Sequence, residues 1–345
     1  MSISPVEHDT HPHAARTAAD LSAERARIEA ESAAFKKELG LGDLVLTQIL
    51  YVVGIAWVGT AAKLGRAQIV FWLLAIIFFY IPQAAVVIHM SRRMPLEGGL
   101  YQWAKLGLGE LMAFLVAWNL WLYAIVLLGA FGVLIATNLA YAVGPSGAWM
   151  ASSKWFIAGE TFVILAALVA TSVIGLGVSK WVHNVGSVAL MGAFAVLIGL
   201  PFVRAAQGEI PAYHPFAAAL PAVSLFSLNV FGKLAVGALS GFEYVAVLAG
   251  ETRRPERTIG RSVVVAAPVI ALMFILGTSS VLAFVPTERI DLIGPIPQVF
   301  RLGFRSGWLA YGLKIGGVVV VANALGLALF AAAERRRDKG LGIRG

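Results

Sequence analysis

The sequence predicts an all-α protein that crosses a membrane eight times. Three observations carry this expectation. Only 13% of the 345 residues are charged, 59% are hydrophobic, and the apolar residues gather into eight long runs. Soluble domains carry about 25% charged residues, so a normal water-facing surface cannot be assembled from this composition. The mean hydropathy of +0.81 agrees. A helix needs about 20 apolar residues to cross a hydrocarbon core of roughly 30 Å. Unpaired backbone groups facing lipid cost several kcal/mol each, and a barrel would show short alternating segments, so runs of this length are read as helices.

Residues 1–42 form a tail. Within it, Ala14 to Leu39 is rich in Ala, Glu, Arg and Lys, the composition of an exposed or membrane-surface helix. The apolar stretch of a secretory signal is absent. His8, His11 and His13 lack neighbours that would complete a metal shell, so the tail is assigned no chemistry and the chain no metal site. The first two spans run from Leu44 to Ala62 and from Ala67 to Ile88. The third, Leu111 to Ala142, is long enough to tilt strongly or to project from the bilayer. Trp155 to Val178 and Trp181 to Val203 supply the fourth and fifth. The sixth, from about Pro221 to Gly250, holds two charges and several glycines and is the irregular one. Ser262 to Val285 and Trp308 to Ala333 complete the set, before a tail at 334–345.

The net charge of +8 reads as a topology signal. With the N-terminus inside, 18 basic residues fall on that side and seven on the other, while Lys233 and Lys314 lie within spans. Basic residues concentrate on the cytoplasmic side of cell membranes, so both termini are expected in the cytoplasm of a plasma or inner membrane. They form no single stripe, which argues against nucleic acid. Cysteine is absent, which excludes disulfides and thiol chemistry. No nucleophile elbow, metal spacing or converging acid–base group marks an enzyme, no repeated pore segment marks a channel, and no cofactor is implied.

Two spans are interrupted in similar fashion. The first contains Val53-Gly54-Ile55-Ala56-Trp57-Val58-Gly59-Thr60, and the sixth contains Gly237-Ala238-Leu239-Ser240-Gly241-Phe242-Glu243. Glycine costs about 1 kcal/mol relative to alanine inside a helix, so paired glycines are places where a helix can unwind. At bilayer depth, freed amides can hold a carboxylate and freed carbonyls an ammonium group, an arrangement that suits a zwitterionic amino acid. The other reading of Gly237 and Gly241 is close helix packing through a small-xxx-small pair. Breaks in the first and sixth spans, five apart, are what a five-helix inverted repeat predicts.

The stretch Gly237 to Arg261, GALSGFEYVAVLAGETRRPERTIGR, resembles the sixth-helix signature of the amino acid/polyamine/organocation permeases. Pro95-Leu96-Glu97-Gly98-Gly99-Leu100-Tyr101-Gln102-Trp103 resembles the loop after their second helix, and Gly54-Ile55 with Gly59 resembles their first-helix break. The resemblance covers about residues 40 to 330. It implies a secondary transporter for an amino acid or related amine, working by alternating access. Residues 43–204 would form the first five-helix repeat and 205–333 three helices of the second. Substrate would sit between Gly54, Ile55, Ala56, Trp57 and Gly59 on one side and Gly237, Ala238, Leu239, Ser240 and Gly241 on the other.

Individual side chains keep more than one reading. Ser240 can meet a substrate carboxylate or its own helix carbonyl. Glu243 is charged at the centre of a bilayer, where insertion costs at least about 2.5 kcal/mol, so it is read as a cap on the broken helix, a proton-coupling group or a substrate contact. Lys233 either lines a vestibule or snorkels. Asn119 and Tyr123, four apart on the third span, are candidates for the cavity wall or ordinary packing. Asn323 in the eighth span is a candidate for holding a coupling cation, by resemblance to sodium-coupled relatives. A proton, sodium or a counter-substrate is therefore the expected partner besides substrate and lipid. The fifth-span lysine of some proton-coupled relatives has no counterpart at Leu190-Met191-Gly192. These permeases have ten core helices where this chain has eight, so a truncated, transport-incompetent remnant is the alternative expectation.

Overall fold

The computed structural model describes residues 18–33, 35–174 and 176–304. The predicted eighth span, Asn323, the three tail histidines and the C-terminal tail lie outside the described residues. Among those described, secondary structure is helical throughout apart from one isolated bridge between Leu39 and Thr252. Five continuous helical stretches, Gly65–Arg93, Glu110–Val143, Asn184–Ala206, Leu225–Glu251 and Pro255–Phe284, are long and apolar enough to cross a membrane, and a bent pair makes a sixth. The chain is thus an all-α polytopic membrane protein.

The elements follow the apolar runs closely. After the N-terminal helix α1 (Ala18–Ala33), the first span is split into α2 (Leu41–Val52) and α3 (Ile55–Ala62). The second comprises α4 (Gln68–Ala75), a widened π-turn at Ile76–Tyr80, and α5 (Ile81–Arg93). Pro82 explains the widened turn: its ring would collide with the carbonyl one turn earlier, and the extra residue relieves that clash without breaking the span. A short helix α6 (Leu100–Leu108) leads into α7 (Glu110–Val143), which at 1.5 Å per residue is about 51 Å long and must tilt or protrude. Helices α8 (Lys154–Ile174) and α9 (Leu176–Ala206) occupy the predicted fourth and fifth spans.

The sixth span begins at Ser224, whose hydroxyl accepts from the Ser227 amide at 3.1 Å and caps α10 (Leu225–Gly232). It continues as a π-segment Lys233–Ala238 and, after a break, as a 3₁₀ segment Phe242–Glu251. Helix α11 (Pro255–Phe284) is the seventh span, and α12 (Pro295–Gly303) follows it. The core lies where α11 packs against α2, α3, α5 and α9, with Trp72 stacked on Phe274 at 4.4 Å between ring centres. Large apolar side chains left exposed, such as Phe78, Val126, Trp155 and Phe162, are spread over several spans, as expected of a surface whose solvent is lipid.

The tail does more than the composition implied. Helix α1 docks on the loop after the second span: Glu24 pairs with Lys105 at 2.7 Å, Arg25 donates to the Arg93 carbonyl at 3.0 Å, and Ser32 accepts from the Glu97 amide at 3.1 Å. Residues 37–39 then pair with the C-terminal end of the sixth span. Leu39 donates to the Glu251 carbonyl at 3.0 Å and accepts from the Arg253 amide at 2.9 Å, while the Lys37 ammonium reaches the Gly250 carbonyl.

The Pro95–Trp103 loop meets the same end. Glu97 accepts from the Gly250 amide, and the Gly98 amide donates to the Val247 carbonyl at 3.2 Å. At Gly99, φ is +43° and a Cβ would lie 2.6 Å from the Ala246 carbonyl carbon, so only glycine fits. Gly99→Val is expected to lower the melting temperature in detergent, a loss of about 1–3 kcal/mol. Gly107→Ala, a change in α6 with open space around it, is the control and should be neutral or stabilising.

Candidate functional site

The first span breaks at Val53 and Gly54. Both halves are helical, but they meet at 47°, and Val53 (φ −81°, ψ 84°) and Gly54 (φ −85°, ψ 130°) are extended or irregular. The Val53 amide still bonds to Ile49 at 2.9 Å, and Trp57 donates to Gly54 at 3.1 Å to start α3. The first amides of α3, at Ile55 and Ala56, have no acceptor within their own helix. This N-terminus is therefore a donor site at the middle of the span, carrying the positive end of a helix dipole.

The sixth span breaks at Leu239–Gly241. The π-segment ends with Leu239 donating to Leu234 at 3.2 Å; Gly241 then adopts φ +110°, a conformation that glycine takes without penalty. Ser240 turns its hydroxyl back to the Val236 carbonyl, so its own helix holds it. Glu243, only 9% exposed, folds its carboxylate back to accept from the Gly241 amide at 2.8 Å. It caps the second half of the span and places an acceptor oxygen at the positive end of that segment.

The two broken spans cross antiparallel, α2 against the 3₁₀ segment and α3 against the π-segment. The side chain between them is Trp57. A Cβ on Gly54 would lie 2.7 Å from Trp57 Cδ1, and a Cβ on Gly237 would lie 2.6 Å from its Cη2, so one indole reaches from the first break to the turn before the second. Gly241 faces the Tyr51 carbonyl, 3.6 Å from where its Cβ would stand. Ile55, Ala238 and Leu239 are buried in the adjoining core, and Ala56 is half-buried.

Other residues anticipated for the site have different neighbours. A Cβ at Gly59 would press on Asp291 and on Pro295, which opens α12, and not on the sixth span. Asn119 is exposed on α7 and donates to its own Leu115 carbonyl at 2.7 Å. Tyr123, one turn on, does approach: its ring stacks at 6.2 Å on Tyr244 of the sixth span. Lys233 is exposed.

Three tyrosines at the breaks escape a reading of sequence alone. Tyr51 packs against Tyr244 at 6.0 Å between rings, and Tyr80 against Phe242 at 4.5 Å. The Tyr80 hydroxyl is buried and has no hydrogen-bond partner among the described residues. It sits within electrostatic reach of Glu243. The available signals were position: Tyr51 precedes Gly54 by one turn, and Tyr244 follows Glu243 directly.

Glu243→Ala removes the cap and should destabilise the detergent-solubilised protein by about 1–3 kcal/mol, whereas Glu243→Gln keeps an acceptor oxygen and should lose less. Unchanged thermal stability of Glu243→Ala would show that the carboxylate does not hold the break.

Residues 42–335 match the amino acid permease family. The chain is 24% identical over 297 residues to an uncharacterized transporter of Legionella pneumophila, covering 84% of this chain and 62% of that one. It is 22% identical over 275 residues to a probable agmatine/putrescine antiporter of Lactococcus lactis (79% and 58% covered) and 21% identical over 312 residues to a branched-chain amino acid permease of Bacillus subtilis (86% and 65%). The chain spans about three fifths of the length of these curated relatives. The match extends over both broken spans and the loop that docks on the sixth, and the chain belongs to the amino acid permease family.

Proposed function

We propose that this chain is the substrate-binding part of a secondary transporter that moves an amino acid or a related amine across the membrane by alternating access. Substrate would lie between the break at Val53–Gly54 and the break at Leu239–Gly241. The observation that carries this reading is the juxtaposition of two broken, antiparallel spans at bilayer depth, where irregular backbone is tolerated only against protein or a polar cavity.

The polarity of the site supports a zwitterion. Glu243 already occupies the Gly241 amide, so the second break presents carbonyl and carboxyl oxygens, suited to an ammonium group. The N-terminus of α3 holds no such carboxylate in its first turn and suits a carboxylate on the ligand. The Tyr80 hydroxyl offers a further donor. Branched-chain amino acids and agmatine or putrescine, named for two of the relatives, both carry the amine end of this chemistry. Breaks five spans apart fit an inverted repeat, and the excess of basic residues on one side favours a cytoplasmic N-terminus in a plasma or inner membrane. A proton, sodium ion or counter-substrate would drive the cycle.

The test is uptake into proteoliposomes of labelled amino acids and polyamines under imposed sodium and proton gradients, and with internal counter-substrate. Accumulation or exchange of at least one compound is expected. Gly241→Leu, which forces a side chain into a left-handed position beside Tyr51, should abolish uptake while leaving insertion intact. Absence of all uptake by correctly inserted chain, or near-normal uptake by Gly241→Leu, would overturn the reading.

A further inference from the structure

Five arginines gather where the end of the second span meets the start of the seventh. The two spans run antiparallel: Gln68 and Trp72, early in the second, bond to Ser279 and Thr278, late in α11, while Gly260 near the start of α11 packs on Ile88 near the end of α5. Arg92 and Arg93 close α5, Arg254 immediately precedes α11, and Arg257 and Arg261 lie in its first two turns. All five are exposed, and none forms an ion pair among the described residues.

The helical period shows which way they point. At 3.6 residues per turn, Arg257 and Arg261 lie about 60° and 100° around α11 from Gly260, the residue that meets α5, and Val264 and Val265 share that exposed side. On α5, Arg92 and Arg93 lie about 40° and 140° around from Ile88 in the same rotational sense, with Ala85 and Val86 on that side too. The opposite flanks are buried, Ala84, Val87 and Ser91 on α5 and Ile259, Val263 and Ala266 on α11. Because the helices are antiparallel, equal rotation on each carries both exposed faces to one side of the pair. The result is a continuous outer surface, cationic at the helix ends and apolar beyond them, where Val86 is 59% and Val264 62% exposed. The nearby carboxylates do not neutralise it. Glu256 lies about 40° from Gly260 in the opposite sense, and Glu29 is paired with Arg25, which reaches the Arg93 carbonyl.

We propose that this surface seats an anionic phospholipid. The guanidinium groups take the headgroup phosphate, which they match with paired N–H donors, and an acyl chain lies along Val86, Val264 and Val265. Basic residues that only set orientation need to lie at one end of a span, on any face of it. Here they share the lipid-facing side of two packed helices, directly above exposed apolar side chains, and that juxtaposition carries the proposal. A free phosphate would meet the arginines alone; the apolar strip asks for a chain as well, and a bilayer supplies both. The surface shares no residue with the two breaks and does not rest on the transport reading.

The absence of cysteine makes the test direct. Val265→Cys gives the full chain a single thiol on the apolar strip, which is labelled with a small fluorophore and reconstituted into bilayers. Quenching by phosphatidylglycerol brominated on its acyl chains is compared with quenching by equally brominated phosphatidylcholine at the same mole fraction. Phosphatidylglycerol is expected to quench several-fold more effectively. A second reporter, Val126→Cys on the exposed face of α7, should show no such preference. Adding Arg257→Gln with Arg261→Gln, or Arg92→Gln with Arg93→Gln, should bring the preference at Val265→Cys close to one; all four positions are exposed, so both pairs should fold. Equal quenching by the two lipids overturns the proposal, as does the same preference at both reporters or a preference that survives both arginine pairs. Quenching by neither lipid, the result if a second copy of the chain covers the surface, overturns it too.

Discussion

Every interruption of a helix inside a bilayer leaves backbone groups that no water can satisfy, and the architecture here is organised around closing them. The 3₁₀ segment Phe242–Glu251 is the sharpest case. Runs longer than three or four residues are uncommon in that conformation, because its hydrogen bonds are poorly aligned. This one covers ten residues in two pieces that meet at a kink at Leu248 (φ −89°, ψ 18°), and charged side chains hold it at both ends. Glu243 accepts from Gly241 at its start, Glu97 accepts from Gly250 near its end, and Lys37 donates to the Gly250 carbonyl. Two of these three groups come from outside the span, so its conformation is a property of the tertiary fold.

That arrangement joins the middle of the membrane to its surface. The same short segment carries the capped break at one end. At the other it carries the backbone pairing with Leu39 and the Gly98–Gly99 docking point. Helix α1 in turn ties the second-span loop to the tail through Lys105, Arg93 and Glu97. A displacement of the second half of the sixth span would have to carry these contacts with it or break them. The Arg25 bond is exposed and weak, but the Glu24–Lys105 pair is largely shielded, and the backbone pairing and the Glu97 bond are buried and directional.

Much of this was legible in the residues. Composition and run length give the spans, because lipid imposes a length on every crossing. Gly54, Gly241 and Glu243 mark the breaks, because glycine permits the backbone and the carboxylate is out of place without a partner. What escaped depends on neighbours distant in sequence. Gly59 looks like Gly54 but faces Asp291 and Pro295. Tyr51, Tyr80 and Tyr244 have the same character as aromatics that merely pack, and only the packing of the first and second spans on the sixth gathers them. The docking of α1 was hidden too, because a helix rich in Ala, Glu, Arg and Lys reads the same in water as against a loop.

The two glycines of the sixth span resolve the choice between unwinding and close packing, because each does one of these jobs. At Gly237 the backbone has negative φ and lies within the π-segment; what it lacks is a Cβ, and the Trp57 indole fills that space. This is the small-residue logic of membrane helix contacts, applied to an aromatic side chain. At Gly241 the nearest atom to a Cβ would be 3.6 Å away, an ordinary contact, and the demand is the positive φ alone. Alanine at 237 would therefore collide while keeping the backbone, whereas alanine at 241 would fit the space and strain the turn. Spacing alone could not separate these roles, because both positions ask for the same residue for unrelated physical reasons.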